Sequence, residues 1–447
     1  MLFKHRATTL AVLMALTGFS AVAHAASSDD SLKSFIMDSK VDGQVRAYYF
    51  DRFFGKNATN LSAFSLGGYI NAHTASLAGF SADVGFYTAN SLGANRVNPD
   101  VTLMGKGTSI NALGQAYLQY EIPHALLIRA GNQIVNTPWV NGSDSRVIPA
   151  TYQGVFAQVS PYCGWNIYGM RIFRWKSRTS ADYYRDNLYY QTGFDGDPIY
   201  GGSAVVPNTD NAANGILAFG TSYKRYGIHA QAWYYNFYQF TQTVYGDAKY
   251  TLKTGIGVDP FLGAQINREW ESNSLLNTSY APGTKPIDGF KGNGVNSTAW
   301  GVIGGIDYDV GSALLGKGQL SAAYNEILYH QGAVGGGAIV SPYTVGYATD
   351  PLYTTSMIRG LVEMGPGHGF KIKWTQHFLS NQFLFMAAYA QYHLQTAGYA
   401  NDIYGDLTYF PQGWIKGLSI RDRVEVAHGD LSTGYFIYNR VMLTYDF

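Results

Sequence analysis

Apolar and polar positions alternate with a period of two along most of the chain. Phe80, Ala82, Val84 and Phe86 share one face of a segment whose other face carries Ser81, Asp83 and Gly85. Ala116, Leu118 and Tyr120 alternate with Gln115, Tyr117, Gln119 and Glu121, and Phe370, Ile372 and Trp374 with Lys371, Lys373 and Thr375. The last segment sets Val441, Leu443, Tyr445 and Phe447 against Arg440, Met442, Thr444 and Asp446. Such a period predicts strands with two chemically different faces. Alternation alone fits two architectures. In a soluble sandwich the apolar face meets a core; in a membrane barrel it meets lipid while the polar face lines a lumen.

Turn-rich clusters divide the strands. Short connections fall near 74–79, 121–125, 160–164, 224–227, 252–263, 309–318, 378–382 and 412–417, and longer polar ones cover 176–215, 272–298 and 331–369. Short turns on one side and long loops on the other are the asymmetry of outer-membrane barrels. With both termini on the short-turn side, the turns predict an all-β, antiparallel transmembrane barrel of about 18 strands, with short periplasmic turns and long extracellular loops. No linker or charge block divides the chain.

Composition separates the two architectures. Charged residues make up 14% of the chain, below the roughly 25% of soluble domains. Aromatics reach 15%, with 36 Tyr, and there are 52 Gly. No apolar run long enough for a membrane helix follows the first residues, so a helical membrane protein is excluded. Those first residues read as an export signal: Lys4, His5 and Arg6 precede the apolar run Leu10 to Leu16, and Ala23-His24-Ala25 fits a cleavage site. Residues 1–25 are thus expected to be removed, leaving 26–447 as a single barrel domain in the bacterial outer membrane, in contact with lipid and lipopolysaccharide. Removal of Lys4 and Arg6 takes the net charge from +1 to −1, so nucleic-acid binding has no electrostatic basis. Cys163 stands alone, which rules out an internal disulfide.

Three stretches carry a resemblance. The first is Phe35 to Lys40 followed by Arg46-Ala47-Tyr48-Tyr49-Phe50-Asp51-Arg52. The second is Gly131-Asn132-Gln133, Asn136-Thr137-Pro138, Ser143-Asp144-Ser145-Arg146-Val147-Ile148-Pro149 and Tyr152-Gln153-Gly154. The third is Lys416 to Arg423 with Asn439-Arg440. In this order they resemble the OprD family of substrate-specific outer-membrane porins. The resemblance implies an 18-stranded barrel, an inward-folded third extracellular loop (136–154 here), and a ladder of basic residues that guides carboxylate solutes. The chain departs from the family in a sparser ladder and in its many tyrosines. The alternating strand that ends on Phe447 resembles the terminal signal read by the barrel assembly machinery.

The ladder candidates are Arg46, Arg129, Arg171, Lys371, Lys373, Arg421, Arg423 and Arg440, each opposed to apolar neighbours on its strand. An arginine on the lipid face near the midplane costs about 2–4 kcal/mol, which favours lumen placement. A line of guanidinium groups would then pass an anion along through several weak sites. Asp144, Arg146 and Tyr152 are the constriction-loop candidates, the first two as opposite charges and the third as an aromatic wall. Trp233, Tyr234, Tyr235 and Tyr238 fit either an interfacial girdle or a slide for sugar rings.

Enzyme signals are weak. Gly311 to Gly318 approaches a phosphate-binding loop, but Gly318 replaces the Ser or Thr that ligates magnesium. HExxH, GxSxG and metal-spaced Cys/His pairs are absent from the sequence, and no cofactor is expected. The leading expectation is a narrow, passive channel for small carboxylates or amino acids. A sugar or oligosaccharide porin is the alternative, and an outer-membrane hydrolase is a further one. The sequence leaves monomer and trimer both open.

Overall fold

The computed structural model describes residues 32–447, except 57, 96–98, 106, 189–213, 272–293, 345–348, 363–364, 396–397, 414 and 430–433. The expected export segment, 1–25, lies outside the described residues. A short helix α1 (Leu32–Met37) leads into β1 (Lys40–Phe54), β2 (Leu61–His73) and β3 (Phe80–Asn90). Helix α2 (Val101–Met104) precedes β4 (Ser109–Ile122), β5 (Leu126–Gln133), β6 (Thr151–Tyr162), β7 (Trp165–Lys176), β8 (Ile216–Arg225) and β9 (Ile228–Phe237). Then come β10 (Thr241–Thr251), β11 (Val258–Glu271), β12 (Asn296–Asp309), β13 (Leu315–Ile327) and β14 (Gly367–Phe378). The chain ends in β15 (Phe383–Leu394), β16 (Gly398–Tyr409), β17 (Leu418–His428) and β18 (Tyr435–Asp446).

Each strand pairs antiparallel with its neighbours in sequence, and β1 pairs with β18, which closes an 18-stranded barrel. Closure removes the sheet edges that lipid could not satisfy. The register across the seam sets Val45 opposite Tyr445 and Arg46 opposite Thr444, so outward and inward residues stay in phase around the ring.

Exposure decides between sandwich and membrane barrel. On β18 the apolar Val441 and Leu443 are 40% and 39% exposed, while the adjacent Arg440 is 3% exposed. On β1, Val45 and Tyr49 are exposed and Arg46 and Phe50 are buried. Apolar residues outside and polar ones inside is the inverse of a soluble fold and suits a lipid surround.

The eight short turns expected from the sequence all join strands at the end that also holds both termini. His124, Tyr226 and Asn381 adopt positive φ in three of them, where a tight reversal demands it. The inner face is not empty. Two clusters of buried apolar side chains fill much of its loop-side half, one around Trp139, Trp175 and Tyr235 and the other around Phe50, Tyr87 and Val147.

Candidate functional site

The third loop, residues 134–150, folds into the barrel. Its local shape comes from short polar side chains: Gly142 N donates to Asn136 Oδ1 at 3.2 Å and Ser143 N to Asn141 Oδ1 at 2.9 Å. These are turn-stabilising contacts of the kind Asn favours. Two anchors then span the lumen. Trp139 Nε1 donates to Asn267 Oδ1 on β11 at 3.0 Å, and Arg46 on β1 holds Asp144, with Nη2 2.8 Å from Oδ2. Arg146 lies over the Phe50 ring at 5.2 Å and donates to Thr102 O. Tyr152 belongs to β6 rather than to the loop, and it is fully buried, with its hydroxyl donating to Asn141 O at 2.9 Å. It fixes the loop from behind and does not form the aromatic wall expected of it.

A second loop enters the barrel. The connection expected over 331–369 as a polar external one is the seventh loop of the long side, and its described residues within 328–366 enter the lumen. Val340 N donates to Glu269 Oε2 at 2.8 Å and Thr344 Oγ1 to Trp139 O at 3.0 Å, which stacks this loop on the third. Farther along, Ser356 Oγ and Met357 N both donate to the Glu425 carboxylate at 2.7 Å, and Arg359 pairs with Asp402 at 3.0 Å. Glu425 and Asp402 are buried wall residues of β17 and β16. Nothing in the local sequence marks them, because their partners lie some 45 to 70 positions away.

Seven of the eight ladder candidates face inward. Arg421 and Arg423 on β17 share one carboxylate, Asp406: Arg421 Nε lies 2.8 Å from Oδ1 and Arg423 Nε 3.2 Å from Oδ2. Arg440 stands directly opposite Arg423 across β17 and β18. It lies over the rings of Phe50 and Tyr438 at 5.0 and 4.1 Å and has no ion pair among the described residues. Lys371 Nζ donates to Thr355 O at 2.6 Å, Lys373 shares its face, and Arg129, near the turn end, donates to Gln119 Oε1 at 2.7 Å. Arg52 and Lys249 are inward cations outside the expected ladder. Arg52 pairs with Asp100 at 2.8 Å and lies over Tyr438 at 4.3 Å. Its signal is present in the sequence: Arg46, Tyr48, Phe50 and Arg52 share one strand face.

Arg171 is the exception. Its neighbours Met170 and Ile172 are 3% and 0% exposed and belong to the inner cluster, whereas Ile167 on the arginine's own face is 48% exposed. Arg171 therefore points outward, one register position below the last β7–β8 pair. There the cost of a lipid-facing cation falls to about 0–1 kcal/mol. The expectation of lumen placement fails because loops fill the lumen at this height, so the inner face is the apolar one. The same effect splits the aromatic group. Trp233 and Tyr235 are buried and stack inward, centroids 5.8 Å apart, while Tyr234 faces out.

An open chamber of about 450 Å³ remains on the wall of β9 and β10, opposite the β18–β1 seam in strand order. The third loop contributes Asn136, Thr137 and Asn141, the seventh loop Tyr353, and the wall Gln231, Tyr245 and Asp247. Gln231 Nε2 donates to Asp247 Oδ2 at 2.7 Å.

A family model for the outer membrane porins of the OprD family matches residues 33–269, more than half of the chain. The chain belongs to the OprD family. Porins of this family reside in the bacterial outer membrane and form substrate-selective channels. Solved structures similar in fold include Pseudomonas aeruginosa OccK9 (OpdG), at TM-score 0.72 and 15% identity over 92% of this chain and 99% of that one. Pseudomonas aeruginosa OccK2 (OpdF) in complex with glucuronate aligns at TM-score 0.67 and 14% identity, over 92% and 99% of the two chains. Pseudomonas aeruginosa OpdK with vanillate aligns at TM-score 0.68 and 14% identity over the same shares. No match is found among curated proteins.

Proposed function

We propose that this OprD-family porin passes small carboxylate-bearing solutes by passive diffusion, with the β17–β18 arginines as the anion-guiding wall. One observation carries the reading: of three adjacent guanidinium groups, Arg421 and Arg423 share one ion-paired carboxylate, Asp406, and Arg440 has no ion pair among the described residues. Glu425 and Asp402 on the same wall are taken up by the seventh loop, so Arg440 is left without an ion-pair partner and an entering carboxylate finds its anion-binding position at Arg421. Arg421 is the accessible member, its side chain 39% exposed against 9% for Arg423. Arg46 is engaged by the third loop, to which Arg146 itself belongs, and both act by shaping the gap. The carboxylates named with the structures of OccK2 and OpdK, glucuronate and vanillate, support the same solute class.

The amides, hydroxyls and Asp247 of the chamber opposite would take the polar remainder of the solute, a hydroxyl or an amino group. They also favour a second reading, a sugar channel. The buried inward rings of Trp233 and Tyr235 are not accessible as a sugar slide. An enzymatic role has no support from the fold or the family, both of which are those of a channel. Phe447 is 52% exposed on the outer face, with its ring stacked on Tyr445 at 6.2 Å and its backbone paired with Gly43, and the exposed part of the ring would meet the assembly machinery.

Single-channel conductance in a planar bilayer, titrated with glucuronate, vanillate and maltotriose, tests the proposal. Block by the two carboxylates and none by maltotriose is the expected result. Block by maltotriose alone would replace the carboxylate reading with the sugar reading, and a folded barrel without current steps would remove both.

A further inference from the structure

The outer face of β7 to β12 carries cations that the channel does not use. Arg171 and Arg268 both point away from the lumen. Asn267 and Glu269, which flank Arg268, are 1% and 0% exposed, whereas Ile266 on its own face is 52% exposed. Both arginines lie within two register positions of the loop end: the β7–β8 ladder closes at Ile172 and Ile216, and the β11–β12 ladder at Trp270 and Asn296. A register shift between Gln153 and Gly154 then turns Arg174 outward as well, and it is exposed.

The two partly covered guanidiniums are held in the same way. Arg171 Nη1 donates to Ile172 O and, at 3.3 Å, to Ile216 O on the next strand. Arg268 Nη1 donates to Glu269 O and, at 2.8 Å, to Ser297 O on the next strand. Arg171 also lies 4.7 Å from the ring centres of Phe173 and Tyr238. Anchoring through one nitrogen fixes the guanidinium plane and leaves its other N–H groups for an external acceptor. Around them the face carries Tyr234, whose hydroxyl donates to Gln242 Oε1 at 2.7 Å, and none of the described outward strand residues from β7 to β12 near this end is Asp or Glu, since Glu271 continues the inward parity of Asn267 and Glu269. Below this belt, toward the barrel's waist, Ile167, Phe219 and Ile266 present apolar side chains outward, each about half exposed.

A donor-rich, acid-poor belt above an apolar wall, at the loop end of a membrane barrel, is complementary to an anionic headgroup above acyl chains. We propose that this face binds phosphorylated headgroups of outer-leaflet glycolipid, with Arg171 and Arg174 as phosphate ligands of one and Arg268, four strands along the wall, as the ligand of another. The inference rests on the outer-membrane location and is independent of which solute the channel passes.

The test uses the full refolded barrel in detergent with fluorescent deep-rough lipopolysaccharide, intact or enzymatically dephosphorylated. Intact glycolipid should bind at least tenfold more tightly than the dephosphorylated form. The triple variant R171A/R174A/R268A should lose that margin while its single-channel conductance stays unchanged. Equal binding of the two glycolipids, or wild-type affinity in the triple variant, overturns the proposal. Should the triple variant not refold, R174A alone decides, because its side chain is exposed on the outer face. About a threefold weaker binding supports the site, and no change rejects it.

Discussion

Asp144 of the third loop clamps Arg46 of β1, its Oδ2 2.8 Å from Arg46 Nη2, while the same guanidinium donates to Arg146 O at 2.7 Å. One arginine of the expected ladder is thereby committed to holding the constriction. The loop lies against the wall proposed to guide anions because that wall supplies its anchor.

Breaking this clamp should widen the pore. Asp144→Asn removes a charge-assisted pair worth roughly 1–3 kcal/mol, while Trp139 and the Tyr152 hydroxyl still tether the loop elsewhere. Unitary conductance should rise and anion preference strengthen, because Arg46 is released into the path. Reversal potentials in a salt gradient measure the second effect. Unchanged conductance and selectivity would mean that the other tethers alone set the gap.

Arg421 is the ladder residue most open to solute. Arg421→Ala should weaken glucuronate block about tenfold, equivalent to about 1.4 kcal/mol. It also leaves Asp406 less compensated, so selectivity should shift toward cations. The double variant Arg421→Ala, Asp406→Asn should restore selectivity without restoring block. Wild-type block in the single variant would take Arg421 out of the pathway.

The seventh loop hangs on Glu425. Glu425→Ala leaves Ser356 Oγ, Met357 N and Ile358 N without this acceptor, at about 1–3 kcal/mol for each buried group left unpaired. The loop should detach while the barrel persists. Proteolysis within 350–362 should accelerate, while the heat-dependent shift in gel mobility expected of a closed barrel is retained. Protection equal to wild type would show that Arg359 and Asp402 suffice.

Asp350, in the same loop, should make the channel pH-sensitive. Burial pushes its carboxyl up to about 7, against the opposing pull of the Thr355 hydroxyl, the Leu352 N–H and Lys371. Its Oδ2 is buried without a partner, which suits a protonated oxygen. A raised carboxyl pKa means that its support of the loop is complete below the ordinary Asp value near ~3.9 and is lost as pH rises through about 7. Open-channel noise should therefore grow between roughly pH 4 and 7, and Asp350→Asn should flatten the dependence. Noise with the same pH profile in the variant would assign the titration elsewhere.

Strand number and turn placement are legible in the chain's local pattern. Each depends on neighbours two to six residues apart: the period-two alternation of Val441, Leu443 and Tyr445, or the reversal that Gly227 and its positive φ of 80° allow after Arg225. The inward direction of Arg421, Arg423 and Arg440 follows from the same alternation, because their strands back directly onto lipid. Local pattern also marks Asn136 to Pro149 as turn-rich, and the family resemblance identifies it as the inward loop.

What local pattern does not reach is the content of the lumen. Alternation tells two faces apart but does not say which is apolar for lipid and which for a protein interior. On β7 the inner residues Met170 and Ile172 are apolar because loops pack against them, so alternation alone puts Arg171 on the wrong side. The entry of the seventh loop, the latch of Ser356 on Glu425 and the clamp of Asp144 on Arg46 join distant segments, the last two across 69 and 98 residues. The sequence by itself determined the barrel, because strands and turns are written in short-range periodicity. Only the tertiary structure decided the pore, because its walls and loops are set by contacts between segments that no local period connects.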